Sequence, residues 1–340
     1  MPNLTIRDIA KMAGVSTTAV SFVLNDRPGV SDATRAHVRA IIERTGFTPN
    51  VHTRRLNLGK SQTVHVVMRK HENGLFGQFA QETLQGIFKA SHALGYSITF
   101  TFADRDAPCE QLIAMVHGKD CDGLILYQVS DAALIARLRQ EQIPFVCVDA
   151  HLAQDGSLPL VEVDYYNAAR QATQYLCQCG HREIGFIGTQ VPNTYYMNTF
   201  GGYMDALKAF GLEYNPAWML ALPNDAALTS RDFEPLLREK RLPTAFFCAG
   251  DAFAIPAMRA VKERGLKIPD DVSFMSLDDL LVSRYLDPPL STMTFDKERL
   301  GAWAMELLYK MLQNEPCDRV NLLPTRVAPR ATVRDLTKTR

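Results

Sequence analysis

The sequence predicts an all-α head, residues 1–48, followed by an α/β body of two lobes, each built on a doubly wound parallel sheet. Helical spacing of apolar residues fills the head. From residue 62, apolar strands alternate with helical stretches, which is the pattern of parallel sheets. Charge divides at the same place. Residues 1–60 contain nine Lys/Arg and four Asp/Glu, a net of +5 in a chain that is neutral overall. A basic head on an acidic body indicates a polyanionic partner for the head.

The first two helices of the head have clear start and stop signals. Thr5 and Asp8 have the spacing of a capping box, so a helix begins near residue 6, and Gly14 ends it. Ser16 is a good N-cap for a second helix that runs to about Asn25. One glycine between two short helices is typical of a helix-turn-helix.

The second helix has a face of small polar side chains, and a third helix completes the head. Val20, Val23 and Leu24 are predicted to point inward. The opposite face carries Thr17, Thr18, Ser21, Phe22 and Asn25. Small side chains let a helix backbone approach base edges in the major groove, although an ordinary surface helix has similar residues. Ser31 caps the third helix and Gly46 closes it.

Residues 49–61 are predicted to be a hinge between head and body. Asn50 caps a short helix that ends at Gly59 and carries Arg54, Arg55 and Leu56. A helix this short is marginal by itself, so we expect it to fold on its target. There the arginines would contact phosphates while Leu56 wedges between base pairs from the minor groove.

The body repeats a strand–helix unit. Strands are predicted at 63–68, 96–102, 122–127, 144–149, 160–164, 184–188, 244–249 and 272–277, with helices between them, for instance at 77–94 and 165–179. Ligands of such sheets lie beyond the carboxyl ends of the strands. This rule nominates Tyr127, Asp149, Asp251 and Asp278, although a capping role is an equal alternative for any one of these aspartates.

Several classes of protein are excluded by missing patterns. The sequence contains no G-x-G-x-x-G after the first strand, no phosphate-binding G-x-x-x-x-G-K-[ST] and no G-x-S-x-G, so we expect no enzyme and no cofactor. Cys177, Cys179 and His181 lack a second ligand pair, so we expect no metal site. The sequence shows neither a signal peptide nor a membrane span. A cytoplasmic protein without a membrane partner is therefore expected, rather than an exported sugar-binding protein.

Several blocks together resemble the lactose/galactose-repressor (LacI/GalR) family of bacterial transcription regulators. They include TIRDIAKMAGVS at 5–16, GHREIGFIG at 180–188, LPTAFFCAGDAFAIPAMRAV at 242–261 and DPPLSTMTFD at 287–296. The resemblance implies a body of periplasmic-binding-protein type whose chain crosses between the lobes three times. It gives an N-lobe of about 62–163 plus 295–323, and a C-lobe of about 164–292 plus 324–340.

The resemblance also implies a homodimer that reads a palindromic DNA operator. Thr17, Thr18 and Phe22 would face base edges. Phosphates would be held by Thr5, Ser16, Ser21, Asn25, Ser31, Thr34 and Asn50. Phe22 replaces a family arginine that reads guanine, and phenylalanine packs on a thymine methyl instead. We therefore expect an atypical operator.

For the body, the resemblance implies a small-molecule effector between the lobes. Asp149 and Asp278 would bind its hydroxyls and Phe76 would stack on it. The strand-end rule adds Tyr127 and Asp251 without the resemblance. Tyr195 and Tyr196 are further candidates, although packing in the core or in a lid explains them equally well. Thr199, Gly250 and Phe295 stand where relatives carry an arginine, a polar residue and a glutamine. Because the arginine is lost, we expect a neutral carbohydrate, with a nucleobase, a nucleoside or a phosphorylated sugar as alternatives. We expect a repressor that its effector releases from DNA, and a dimer, because no apolar heptads follow the last strand.

Overall fold

The computed structural model of the chain describes residues 4–24, 26–47, 60–69, 77–103, 109–152, 157–189, 193–222, 228–238 and 241–338. The chain divides into one unit of Met1–Gln62 together with Lys119–Cys121, and a larger unit of Thr63–Gly118 together with Asp122–Arg340. We call these the head and the body.

The head contains three helices: α1 (Ile6–Ala13), α2 (Thr17–Leu24) and α3 (Asp32–Thr45). The predicted starts and stops are confirmed. Thr5 and Asp8 form the reciprocal capping box, and the Ser31 hydroxyl accepts a hydrogen bond from the Thr34 N–H. Gly14 and Gly46 end their helices at φ values of 64° and 62°, a left-handed conformation that glycine adopts without strain.

The head has a small apolar core of its own. Ile9, Val20, Val23 and Val38 are buried in it. Phe47, which follows the last helix and was not predicted to be inward, is buried there as well. The eight buried residues of this core are Ile9, Ala10, Ala13, Val20, Val23, Val38, Ile41 and Phe47.

The body contains two six-stranded sheets. Their strands are β1 (Thr63–Arg69), β2 (Ser97–Ala103), β3 (Gly123–Tyr127), β4 (Phe145–Val148), β5 (Leu160–Val163), β6 (Ile184–Thr189), β7 (Met219–Leu222), β8 (Ala245–Cys248), β9 (Ser273–Ser276), β10 (Ser291–Thr294), β11 (Val320–Leu323) and β12 (Arg326–Ala328). In the first sheet, the strand order is β11-β5-β4-β3-β1-β2 and every pair is parallel. In the second sheet, the order is β12-β10-β9-β8-β6-β7, and every pair is parallel except β10 with β12.

Helices surround both sheets, so the predicted doubly wound lobes are confirmed. They are α4 (Gln78–Ala93), α5 (Cys109–His117), α6 (Ala132–Gln140), α7 (Tyr165–Gln178), α8 (Thr194–Ala209), α9 (Glu234–Leu237), α10 (Asp251–Glu263) and α11 (Lys297–Leu312). The chain passes between the sheets after Val163, after Thr294 and after Leu323. None of the described helices is long and apolar enough to cross a bilayer.

In each lobe, two helices cross at glycine. A Cβ added to Gly86 of α4 would lie 1.8 Å from the carbonyl oxygen of Glu298 in α11. Likewise, a Cβ added to Gly301 of α11 would lie 1.8 Å from the carbonyl oxygen of Thr83 in α4. In the second lobe, a Cβ at Gly202 of α8 would lie 2.3 Å from the carbonyl oxygen of Tyr166 in α7. These helix backbones approach so closely that only glycine fits between them.

Candidate functional site

The face of α2 that was predicted to meet DNA is available in the head. Ser16, Thr17 and Thr18 are exposed, whereas Val20 and Val23 on the other side are buried. The Ala19 N–H donates to the Ser16 hydroxyl, 3.1 Å away, so Ser16 caps the helix as predicted. The helix thus presents short hydroxyl side chains at its start and buries only its aliphatic side.

Hydroxyl caps begin the three helices of the head. Thr5, Ser16 and Ser31 occupy these positions, and Thr34 lies 2.9 Å from Ser31 between their hydroxyl oxygens. A helix N-terminus presents unpaired N–H groups and a partial positive charge, which attract phosphate. This arrangement fits the predicted phosphate contacts.

The Phe22 side chain is less exposed than the sequence predicts for a residue on the DNA-facing side of α2. A Cβ added to Gly29 would lie 3.0 Å from Cε2 of the Phe22 ring, so the ring packs against the loop after α2. Phe22 is half-buried and Ser21 beside it is partly buried. Only part of the ring therefore remains for contact with a base.

Six predicted site residues lie outside the described residues. They are Asn25, Asn50, Arg54, Arg55, Leu56 and Phe76.

In the body, residues just beyond the carboxyl ends of the strands have an unusual backbone. Gln128, Asp149, His151 and Asp278 have φ values of 53°, 50°, 52° and 93°. Positive φ is uncommon for residues other than glycine and tends to mark functional sites. Hydrogen bonds and electrostatic interactions bring Gln128, His151 and Asp278 together around Asp149, where the two lobes meet.

Asp149 lies at the centre of this cleft. Its buried carboxylate accepts a hydrogen bond from the Tyr165 hydroxyl, 2.7 Å from Oδ1, and one from the Gln128 amide, 2.8 Å from Oδ2. Tyr165 begins α7, which packs in the second lobe, whereas Asp149 and Gln128 follow strands of the first. The Tyr165–Asp149 hydrogen bond therefore links the two lobes.

His151 stands between two buried carboxylates. Its Nδ1 lies 3.2 Å from Oε1 of Glu162, and its Nε2 lies 3.9 Å from Oδ2 of Asp149. Burial by itself lowers the pKa of His151, but the two carboxylates outweigh it, and the pKa is raised. The ring also packs against Tyr165 and Tyr195 of the second lobe, with centroids 5.5 and 5.0 Å away.

Asp149, His151 and Glu162 also bring possible metal-binding atoms within 4.8 Å of one another. However, different imidazole nitrogens face the two carboxylates, and a shared metal needs one nitrogen directed at the same point as both. The geometry favours an imidazolium paired with two carboxylates. Sequence reasoning missed His151 and Glu162. His151 follows Asp149 by two residues, so a wider strand-end rule finds it.

Asp278 approaches the cleft from the second lobe. A Cβ added to Gly250 would lie 3.2 Å from its Oδ2 and 3.6 Å from the Tyr195 hydroxyl, and Gly250 has a φ of 128°. The Tyr195 hydroxyl donates to the Ala249 carbonyl, 2.6 Å away. Burial, and secondly the nearby Asp251 carboxylate, raise the pKa of Asp278 to about 7.

Comparison with known proteins identifies the family. Residues 5–50 match the family described as bacterial regulatory proteins, lacI family, and residues 173–333 match a periplasmic binding protein-like domain. The ribose operon repressor of Haemophilus influenzae is 30% identical over 312 residues, with 91% of this chain and 92% of that protein covered. The chain belongs to the LacI family. It is therefore a DNA-binding transcriptional repressor and not an enzyme.

Other LacI-family proteins match over the same length. The HTH-type transcriptional repressor PurR of Histophilus somni is 29% identical over 317 residues, covering 92% of this chain and 93% of that protein. A solved complex of the regulator CelR with cellobiose matches with a TM-score of 0.72 and 26% identity, and the match covers 97% of this chain and 99% of that chain. The structure of a lac repressor dimer bound to operator and the anti-inducer ONPF matches with a TM-score of 0.83 over 97% of this chain and 99% of that chain. Because the two sequences are only 23% identical, this match shows that the fold is shared.

Three effector residues expected in this LacI-family protein have structural roles instead. The buried Asp251 carboxylate accepts from the Leu280 N–H and from the Ser283 and Thr292 hydroxyls. Thr199 is buried and donates to the Tyr195 carbonyl within its own helix, 2.8 Å away. Tyr196 is partly buried, with its ring stacked on Phe200. These contacts account for the positions of Asp251, Thr199 and Tyr196 without an effector.

Tyr127 and Phe295 remain candidates. The Tyr127 side chain is buried, and its hydroxyl lies beside the hydroxyl of Thr83. Burial, and secondly the Asp149 carboxylate, raise the pKa of Tyr127 well above its usual value. A buried phenol hydroxyl of this kind can both donate to and accept from a ligand group. Phe295 lies at the second crossing between the lobes, with Phe79 5.6 Å away between ring centroids.

Proposed function

We propose that this LacI-family repressor binds a palindromic operator as a homodimer and releases it when a small-molecule effector occupies the cleft between the lobes. The Tyr165–Asp149 hydrogen bond between the lobes carries the proposal. A ligand whose hydroxyl reaches Asp149 competes with Tyr165, so occupancy changes the contact between the lobes. An allosteric coupling of about 1–3 kcal/mol is typical of such a linkage.

For DNA contact we propose the residues and boundaries expected from the sequence. Thr17, Thr18 and the free part of Phe22 would reach base edges, and the capping hydroxyls would hold phosphates. In the hinge, residues 49–61, the arginines and Leu56 would bind the minor groove. The first lobe continues directly from the hinge, so movement of that lobe would separate the paired hinges of a dimer.

For the effector we propose a carbohydrate. Asp149 and Asp278 offer carboxylate oxygens to hydroxyl donors, Tyr127 offers a buried hydroxyl, and Phe295 offers an aromatic ring. The relatives named as ribose operon repressor and CelR–cellobiose complex support this class. The relatives named PurR support a nucleobase as the second candidate.

For the dimer we propose that an exposed apolar patch of the body packs on a second copy. Leu281, Val282 and Tyr285 are 50%, 45% and 79% exposed within one turn of the second lobe. Clustered exposed apolar side chains usually mark an interface. The Tyr285→Asp variant should sediment as a monomer at concentrations at which the parent is a dimer. A tetramer at all concentrations, or an unchanged dimer in the variant, contradicts the proposal.

Deletion of residues 1–60 should abolish DNA binding and leave stabilisation of the body by its effector intact, because head and body are separate compact units. Gel retardation on operator DNA and thermal unfolding with a sugar and nucleoside panel measure the two functions. Retention of operator by the truncated chain contradicts the assignment of DNA binding to the head.

Phe22 should determine one base of the operator. Selection from random DNA should recover A or T at the position that residue 22 contacts, and Phe22→Arg should shift the selected base to G, because arginine donates two hydrogen bonds to guanine. A preference for G in the parent that depends on residue 22 contradicts this prediction. Glu43→Gln, at an exposed position of α3 that is not among the proposed DNA contacts, serves as a control and should leave the selected base unchanged.

A further inference from the structure

Lys297 is a buried lysine at the place where the two lobes meet. It is the first residue of α11, which packs in the first lobe, and its side chain is 3% exposed. Its Nζ donates a hydrogen bond to the carbonyl oxygen of Asp279, 3.3 Å away, in the loop that follows β9 of the second lobe. The Lys297 side chain therefore reaches from one lobe to the other.

This position is unfavourable for an ammonium group. Burial removes its hydration, and the first turn of a helix has a partial positive charge that repels a cation. Among the described residues, the ammonium makes one hydrogen bond, to the Asp279 carbonyl, although it has three N–H donors. Oε2 of Glu82, 3.9 Å away, is close enough for an ion pair but too far for a hydrogen bond. Two donors of a buried ammonium thus remain for another partner.

The neighbours of Lys297 hold its ammonium near Asp278. Nζ lies 4.9 Å from the centroid of the Phe295 ring, in a cation–π contact. Phe295 is itself fixed against Phe79, with ring centroids 5.6 Å apart. Burial and the Asp251 carboxylate raise the pKa of Asp278, and the nearby Lys297 ammonium acts in the opposite direction. A charged donor of the first lobe and a carboxylate of the second thus lie close together.

A hydroxyl group can bind both of these partners at once. Its oxygen accepts from the Lys297 ammonium while its O–H donates to the Asp278 carboxylate. Both hydrogen bonds are charge-assisted, and such bonds are roughly twice as strong as those between neutral groups. A second hydroxyl on the adjacent carbon of a sugar can occupy the other ammonium donor. A ligand bound in this way contacts both lobes, so its presence affects their relative position.

We propose that Lys297 is the charged hydrogen-bond donor of the effector site, and that Lys297 and Asp278 together recognise free hydroxyl groups of a neutral sugar. The inference rests on the proposed function and adds a residue to it. At Thr199, the resemblance places an arginine in relatives, and here a donor from the first lobe takes over that task. A protonated amine in place of the hydroxyl is repelled by the ammonium, and O-methylation removes the proton that Asp278 accepts.

Calorimetry on the full-length chain tests the inference. The probes are ribose, glucose, galactose and cellobiose, followed by the monodeoxy and mono-O-methyl derivatives of the sugar that binds most tightly. Lys297→Met should lower the affinity for that sugar at least about tenfold, because methionine fills a similar space without a donor. Lys297→Gln keeps an uncharged donor and should lose less affinity than Lys297→Met.

The deoxy sugars distinguish a ligand contact from a structural role. With the parent protein, removal of the hydroxyl that Lys297 binds should lower the affinity at least about tenfold. With Lys297→Met, removal of the same hydroxyl should lower it about threefold or less, because its partner is already absent. Lys310→Met removes an exposed lysine from the same helix and should respond to every derivative as the parent does.

The outcomes separate the inference from the proposed function. Unchanged sugar affinity in Lys297→Met, or equal losses across the deoxy series in the parent and this variant, overturns the inference and leaves the proposed function standing. If thermal unfolding shows that Lys297→Met is not folded, Lys297→Gln should show the same change reduced in size. If the parent binds nucleosides and none of the sugars, the proposed effector class is wrong and the inference falls with it.

Discussion

Replacement of Gly202 by alanine should destabilise the second lobe by about 3 kcal/mol or more. The new Cβ would lie 2.3 Å from the Tyr166 carbonyl oxygen and 2.9 Å from the Arg170 nitrogen. Both are backbone atoms of α7, so no change of side-chain rotamer relieves the contact, and the two helices must separate. Their apolar contact is then lost. Urea unfolding followed by circular dichroism measures the change.

Gly201 provides a matched control in the same helix. A Cβ there would meet only the Tyr166 ring, at 3.7 Å, which is ordinary contact. Gly201→Ala should therefore stabilise the protein by about 0.5–1 kcal/mol, because alanine favours the helix interior. Equal effects of the two substitutions would show that helix propensity, and not the close approach of the backbones, determines stability here.

The fold was largely predictable because its signals are local. Thr5, Gly14, Ser31 and Gly46 determine helix ends through their own backbone and side-chain chemistry. The crossing of α4 and α11 was not predictable. Gly86 and Gly301 are far apart in sequence, and the residues around each glycine do not indicate which helix it packs against. The short strand β12, which pairs antiparallel with β10, was missed because three residues show no period.

The cleft was predictable in position and less so in detail. The strand-end rule found Asp149 and Asp278, which the structure brings to the same cleft. It also selected Asp251, whose side chain turns to hydrogen bonds with the Leu280 N–H and Ser283. The rule locates a backbone position, whereas the direction and partners of a side chain depend on tertiary contacts. For the same reason the pairing of His151 with Glu162 was not visible in the sequence.

Asp278→Asn should raise the free energy of unfolding at pH 8 by about 2–4 kcal/mol and leave it nearly unchanged at pH 4. The folded protein holds the Asp278 proton more tightly than the unfolded chain, because the pKa is raised from 3.8 to about 7. Between these values the folded state binds more protons, so the parent loses stability as pH rises, and the full cost is present above pH 7. Asparagine cannot ionise, and its side-chain oxygen still accepts a hydrogen bond from the Asp251 N–H at the start of α10.

Urea unfolding at both pH values measures the difference in the free energy of unfolding, with Asp120→Asn at an exposed position as the control. A gain of equal size at pH 4 and pH 8 would show that charge burial at Asp278 is not its cause.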